Sequence, residues 1–199
     1  MTEHAHALPR RRPPQPVAHP NGWWGMAIFV ASEATLFGAL LGTYYYLRFK
    51  AVHWPPVGTP EPKVLLPLIL TGILVATSVP MQLALRSARA GRLAPARLAL
   101  VVALAVQAAY FGIQIHLFLG DLAKFTPGEH AYGSIYFTLV GAHHTHVAAG
   151  LLLDVWLLLR LSTCLTRYRL TALWATTFYW HFVNTLAVLV VFTQLSPAL

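Results

Sequence analysis

Five long apolar runs dominate the chain, at about 24–47, 65–85, 98–119, 133–159 and 171–195, with short polar connections between them. Each is long enough to cross a hydrocarbon core ~30 Å thick, which takes ~20 helical residues at ~1.5 Å of rise per residue. None alternates apolar and polar residues as a half-buried strand would, and all exceed ordinary strand length. The pattern predicts an all-α fold: an integral membrane bundle of five transmembrane helices, consecutive segments antiparallel. Residues 1–21, rich in Pro, Arg and His and lacking apolar periodicity, read as a disordered tail ahead of a transmembrane domain spanning 22–199. A cleaved signal peptide is not expected, because the apolar run after the tail is too long and no small-residue cleavage site follows.

Composition supports the same reading. The chain is 57% hydrophobic and 10% charged, where a soluble domain carries about 25% charged residues. Its net charge of +8 does not point to nucleic acid, because the basic residues fall in small groups between apolar runs and form no charged face. They sort instead by side of the membrane. Arg10, Arg11, Arg12, Arg86, Arg89, Arg92, Arg97, Arg160, Arg167 and Arg169 fall on one side, and Arg48, Lys50, Lys63 and Lys124 on the other. Basic residues favour the cytoplasmic side, so the N-terminus is expected there and the C-terminus outside. Trp23, Trp24 and Trp174 mark the inner ends, and Tyr44, Tyr45, Tyr46 and Trp54 the outer ones. Cys164 is the single cysteine, so an internal disulfide is excluded and the thiol reads as inert.

An ionisable group near the bilayer centre costs roughly 2.5–3.5 kcal/mol on insertion scales, so each needs a reason to be there. Glu33 lies about ten residues beyond Trp23 with no cation within a helical turn. It is expected either to be protonated or to meet a polar neighbour on another helix, as a proton-relay or lipid-contacting carboxyl or as a neutral packing acid. In the fourth segment, His143, His146, Gly150 and Asp154 fall on one stripe at 100° per residue, with His144 turned away. In the fifth, His181 and Asn184 lie three residues apart and are expected to share a face. A pair between Glu33 and a histidine of the fourth segment is compatible with the pattern. A metal or haem would need His143, His146 and His181 to converge, and no matching second histidine set exists, so hydrogen bonding and packing are the expected roles. His4, His6 and His19 are scattered in the tail and read as solvated. Gly38 and Gly42 form a small-xxx-small step, and Gly141 and Gly150 bracket a close approach. Pro80 is expected to kink the second segment and free a carbonyl.

Four motifs in order resemble the cytochrome c oxidase subunit III (haem-copper oxidase subunit 3) family, in its short five-helix bacterial form, over residues 22–196. They are GWWGMAIFVASEATLFGALLGTYYYLRF with Glu33, HWPPVGTPEPKVLLPLILTGILVATS, AYGSIYFTLVGAHHTHVAAG with Gly141, His143 and His146, and YWHFVN with Tyr179, Trp180 and His181. Three positions depart from the pattern. Asn184 stands where the family often has Asp, and Leu117 and Phe118 replace a Glu-Tyr pair beyond the matching Gln114. Two N-terminal helices of the longer members are also missing.

The resemblance implies an accessory subunit with no cofactor of its own, in a bacterial inner membrane, packed on a catalytic subunit I that carries haem and copper. It also implies an electron-entry subunit II, a small subunit IV, bound phospholipid, and a role in proton uptake and sustained turnover. A third subunit of a quinol oxidase or nitric oxide reductase fits the same motifs. From other classes, a proton-coupled carrier using Glu33, Asp154 and the histidines, and a small membrane haem protein, remain as alternatives. The carrier lacks the internal repeats usual for such folds. No phosphate loop, nucleophile elbow or dinucleotide fingerprint is present.

Overall fold

All five apolar runs are helical in the computed structural model of the chain, which describes residues 21–59, 65–161 and 165–195. The helices are α1 (Asn21–Lys50), α2 (Leu65–Ala76), α3 (Ser78–Arg89), α4 (Leu93–Leu122), α5 (Ala131–Leu161) and α6 (Arg167–Leu195). No strand occurs among the described residues. α2 and α3 together form one 25-residue span, so five helices are long and apolar enough to cross a membrane. The readings placed on residues 1–20, Lys63 and Cys164 lie outside the described residues. Asn21, assigned to the tail, instead opens α1.

The second span breaks at Thr77, three residues before the proline that causes it. Pro80 has no N–H to give the Ala76 carbonyl, and the turn tightens there. Thr77 N donates to Leu74 O at 3.0 Å and its hydroxyl to the same carbonyl at 2.6 Å. Regular spacing resumes where Met81 N donates to Thr77 O at 3.2 Å. The span ends in a Schellman closure: Gly91 adopts φ +72°, its N–H reaches Ala88 O at 2.9 Å, and Arg92 N reaches Ser87 O at 2.9 Å. α4 then starts within two residues, with Pro95 in its first turn, where a missing N–H costs no helical bond. This tight connection makes α3 and α4 an antiparallel pair.

α5 and α6 form the centre of the bundle. α5 packs on α1, α4 and α6, while α6 packs on α1, α2, α3 and α5. Lipid tails are as apolar as leucine, so close packing and interhelical hydrogen bonds hold these helices together more than removal from water does. Leu74, Met81, Leu100, Leu157, Leu161 and Leu173 are fully buried between them. α1 is different, with 6% of its most apolar stretch buried against 56% for α6. It touches the bundle along one edge through Phe37 and Tyr44 and leaves its other faces open.

Side chains pin the helix ends. Trp23 of α1 stacks on Trp174 of α6 with ring centroids 6.0 Å apart, and Trp174 stacks on Phe178 at 5.4 Å. At the opposite (distal) end, Tyr44 donates to Thr193 O at 2.6 Å and accepts from Trp54 Nε1 at 3.1 Å. His130 caps α5, its Nδ1 accepting from Gly133 N at 2.9 Å. Arg97 of α4 donates through Nε to Leu161 O at 2.7 Å, giving an orphan carbonyl at the α5 C-terminus a charged partner. Hydrogen bonds from charged groups contribute ~1.5–3 kcal/mol. Arg97→Leu is therefore expected to lower unfolding stability in mixed micelles by ~2 kcal/mol, while the exposed Arg160→Leu should change little.

Candidate functional site

Two polar groupings cross the bundle, one part-buried and one buried, and α5 contributes to both. The first joins α1 to α5 and α6. Glu33 and Phe37, one helical turn apart, face α5, and Phe37 meets the His146 ring edge-on at 5.2 Å. His146 Nε2 lies 3.0 Å from Glu33 Oε2, and its Nδ1 donates to Ala142 O at 2.8 Å. A carbonyl can only accept, so Nδ1 carries a proton. One further proton then lies between Nε2 and Oε2, on the acid or on the imidazole. Either way the pair is neutral as a unit, which reconciles two ionisable groups with a mid-membrane position. Tyr179 of α6 donates to His146 O at 2.8 Å, tying a third helix to the same turn of α5.

The second grouping sits at the α2–α3 break. Asp154 is fully buried on α5. With the Gln107 amide turned so that its nitrogen meets acceptors, Gln107 donates to Ala103 O at 3.1 Å and to Asp154 Oδ2 at 2.8 Å. The other arm of that amide lies 3.3 Å from Thr77 Oγ1. Asn184 of α6 donates to Ser78 Oγ at 2.8 Å. Trp180 lies beside Asp154 without a well-aligned bond from its indole nitrogen. Four spans thus meet through short polar side chains at the point where helix 65–89 gives up its regular bonding.

The histidines divide among partners rather than sharing one stripe. His146 faces α1. His143 faces α4, where Tyr110, accepting from Gln114 Nε2 at 3.2 Å, donates to His143 Nε2 at a long 3.4 Å. His144, expected to turn away, is buried against Phe111 and Phe118 of α4. α5 packs on α1, α4 and α6, so residues spaced along one stripe of it meet different helices. His181 and Asn184 also part company: Asn184 is buried and His181 exposed, because the edge of the buried face of α6 falls between them. His143, His146 and His181 therefore do not converge, and among the described residues no three His, Cys, Asp or Glu side chains group closely enough to hold a metal ion.

The glycines divide as well. A Cβ on Gly150 would stand 2.7 Å from Trp180 Cζ2, so this glycine lets the indole lie against the α5 backbone. Gly141 has only an ordinary 3.8 Å approach to Phe118. Gly38 and Gly42 are exposed with nothing within 4 Å of a built Cβ. The expected small-xxx-small packing is not made within this chain, since Glu33, Phe37 and Tyr44 carry the inward edge of α1. Sequence reasoning passed over Gln107, Tyr110, Thr77 and Ser78. The signal was available in Gln107, Tyr110 and Gln114, whose i, i+3, i+7 spacing marks one face of an otherwise apolar helix.

A five-span helical bundle tied together by interhelical polar contacts defines a multi-pass membrane protein built to pack. The sequence profile described as Cytochrome c oxidase subunit III matches residues 18–195. The chain belongs to that family. It is 31% identical over 163 residues to a probable cytochrome c oxidase subunit 3 of Nocardia farcinica, with 80% of each chain covered. It is 33% identical to the cytochrome bo(3) ubiquinol oxidase subunit 3 of Pseudomonas aeruginosa, over 84% of this chain and 82% of that one. A cytochrome c oxidase subunit 3 of Papio hamadryas is longer: 29% identity covers 81% of this chain but 64% of the relative.

Proposed function

We propose that this chain is the accessory third subunit of a proton-pumping terminal oxidase, in which partner chains carry the haem and copper that reduce oxygen to water. It supports assembly, proton uptake and sustained turnover of the catalytic subunit. The observation that carries this reading is the family match over residues 18–195. The little-buried α1, with Gly38 and Gly42 facing outward, supports a bundle completed by other chains. Its partners are a catalytic subunit I, an electron-entry subunit II and a small subunit IV, with phospholipid bound at the surface. The membrane is a bacterial inner membrane, with the N-terminus in the cytoplasm as the arginine distribution argues. The similarity to a ubiquinol oxidase subunit keeps quinol as a second electron donor for the complex.

Glu33 has a specific place in this proposal. Its pair with His146 holds one transferable proton in hydrocarbon, on the thinly covered helix of the bundle. Glu33→Gln keeps a donor for His146 Nε2 but has no proton to release. The variant is expected to assemble normally and to lose activity faster during continuous turnover, read as oxygen consumption over many minutes. A Gln variant that assembles and keeps wild-type endurance at every pH would reduce Glu33 to a packing acid. Purification through an N-terminal tag tests the wider assignment: haem- and copper-bearing chains must accompany this one. If it emerges alone, the accessory role fails.

A further inference from the structure

At the distal end of the bundle, away from Glu33, α2 and α4 part to leave a cavity of about 200 Å³ over α5 and α6. Its polarity is layered. Asp121 and Lys124, joined by a 3.0 Å ion pair, stand at the rim with Tyr136, which donates to Asp121 Oδ2 at 2.9 Å. Phe118 and Val140 line the middle. Gln114 and His144 lie at the far end, some seven residues below Asp121 on α4, or ~10 Å along the helix. Leu66 and Leu117 flank the opening and are in part exposed on the face that lipid covers.

The deep end is polar, with the Gln114 amide and the His144 ring in its lining. His144 is buried, and its Nδ1 has no hydrogen-bond partner. A second cavity of about 20 Å³, room for one water, continues from there to His143, whose Nδ1 also lacks a partner. Both nitrogens are out of reach of a water-sized molecule, so the polar group that an occupant of the larger cavity meets at depth is the part-exposed Gln114 amide, beside the His144 ring. Phospholipid does not suit the space: its acyl chains would lie against Gln114 and His144 while its headgroup stayed at the rim. The larger cavity exceeds the ~150 Å³ that accepts a benzene ring, and aromatic side chains wall it.

We infer that this cavity binds the ring of a membrane-soluble quinone or quinol. A flat para-substituted ring carries oxygens at two opposite ends, matching polar groups at the rim and at depth with an apolar waist between. The Gln114 amide carries both donor N–H groups and an acceptor oxygen, so it can serve either redox form. The apolar tail leaves between Leu66 and Leu117 into lipid. The assignment is of binding alone. It stands apart from the accessory role, since it rests on the cavity and not on the family match.

The test is photolabelling of the full chain in its native complex, in nanodiscs, with an azido-1,4-benzoquinone bearing a decyl tail. Label is expected in peptides covering 114–125 and 132–144, suppressed by excess decyl-benzoquinol and not by short-chain phosphatidylcholine. Gln114→Leu should cut the yield about tenfold, as the loss of a good hydrogen bond predicts. Gly120 lines the cavity and has open space beside it, so Gly120→Phe should block the site without straining the fold. Absence of label in these peptides, label equally displaced by phospholipid, or label unchanged in a folded Gly120→Phe variant overturns the inference.

Discussion

Gly150→Leu is expected to destabilise the bundle by more than ~3 kcal/mol, the upper end of ordinary overpacking in a packed interior. The reason is a contact between a helix backbone and an indole. A single added Cβ would sit 2.7 Å from Trp180 Cζ2 and 2.9 Å from Cε2, and the ring cannot retreat because Trp180 is fully buried on α6. Leucine adds three carbons beyond that Cβ and must push α5 and α6, the central pair, apart. Alanine is the milder probe: its ~1–3 kcal/mol of crowding is offset in part by the ~1 kcal/mol that Ala gains over Gly in a helix. Gly112 of α4, exposed and with open space beside it, supplies the control. Unfolding in mixed micelles, followed by tryptophan fluorescence, should separate Gly150→Leu from Gly112→Leu widely; equal losses would mean that the Trp180 contact is not restrictive.

That glycine also shows how far the sequence could be read. The small-residue pattern marked Gly38, Gly42, Gly141 and Gly150 alike, and only Gly150 meets a large side chain at close range. Spacing along one helix states which residues share a face; it cannot state which helix stands opposite. The same gap explains the histidines. The members of the expected stripe meet different helices because α5 packs on three: His146 meets α1, His143 meets α4 and Gly150 meets α6. The five spans, by contrast, followed from length and hydrophobicity alone, because a helix that crosses lipid must satisfy its own backbone. Pro80 announced the break in the second span but not its position at Thr77, nor that Asp154, Gln107 and Asn184 would gather around it. Those side chains belong to three different spans, and only their packing brings them together. The readable signal was that each is polar in an apolar run, which says that it has a partner but not which one.

Glu33 and His146 lend themselves to a thermodynamic cycle, because each is the other's partner across two helices. Glu33→Leu leaves His146 Nε2 facing hydrocarbon, and His146→Leu leaves an acid with no neighbour to share its proton. Breaking a fully buried ionisable pair from one side costs ~3–5 kcal/mol, and this part-buried pair less, while replacing both members with apolar residues is often close to neutral. Each single variant is therefore expected to lose up to ~3 kcal/mol, and the double Leu variant far less than the sum of the two, close to wild type. Glu33→Gln should lose under ~1.5 kcal/mol, because its amide N–H can still donate to Nε2 and only the transferable proton is gone. This ordering separates two roles that one substitution confounds. If the single Leu variants are as stable as wild type and the cycle shows no coupling, the 3.0 Å contact carries no stabilisation. If coupling is large and Glu33→Gln is stable yet fails early in turnover, the contact holds the helices while its proton serves the oxidase.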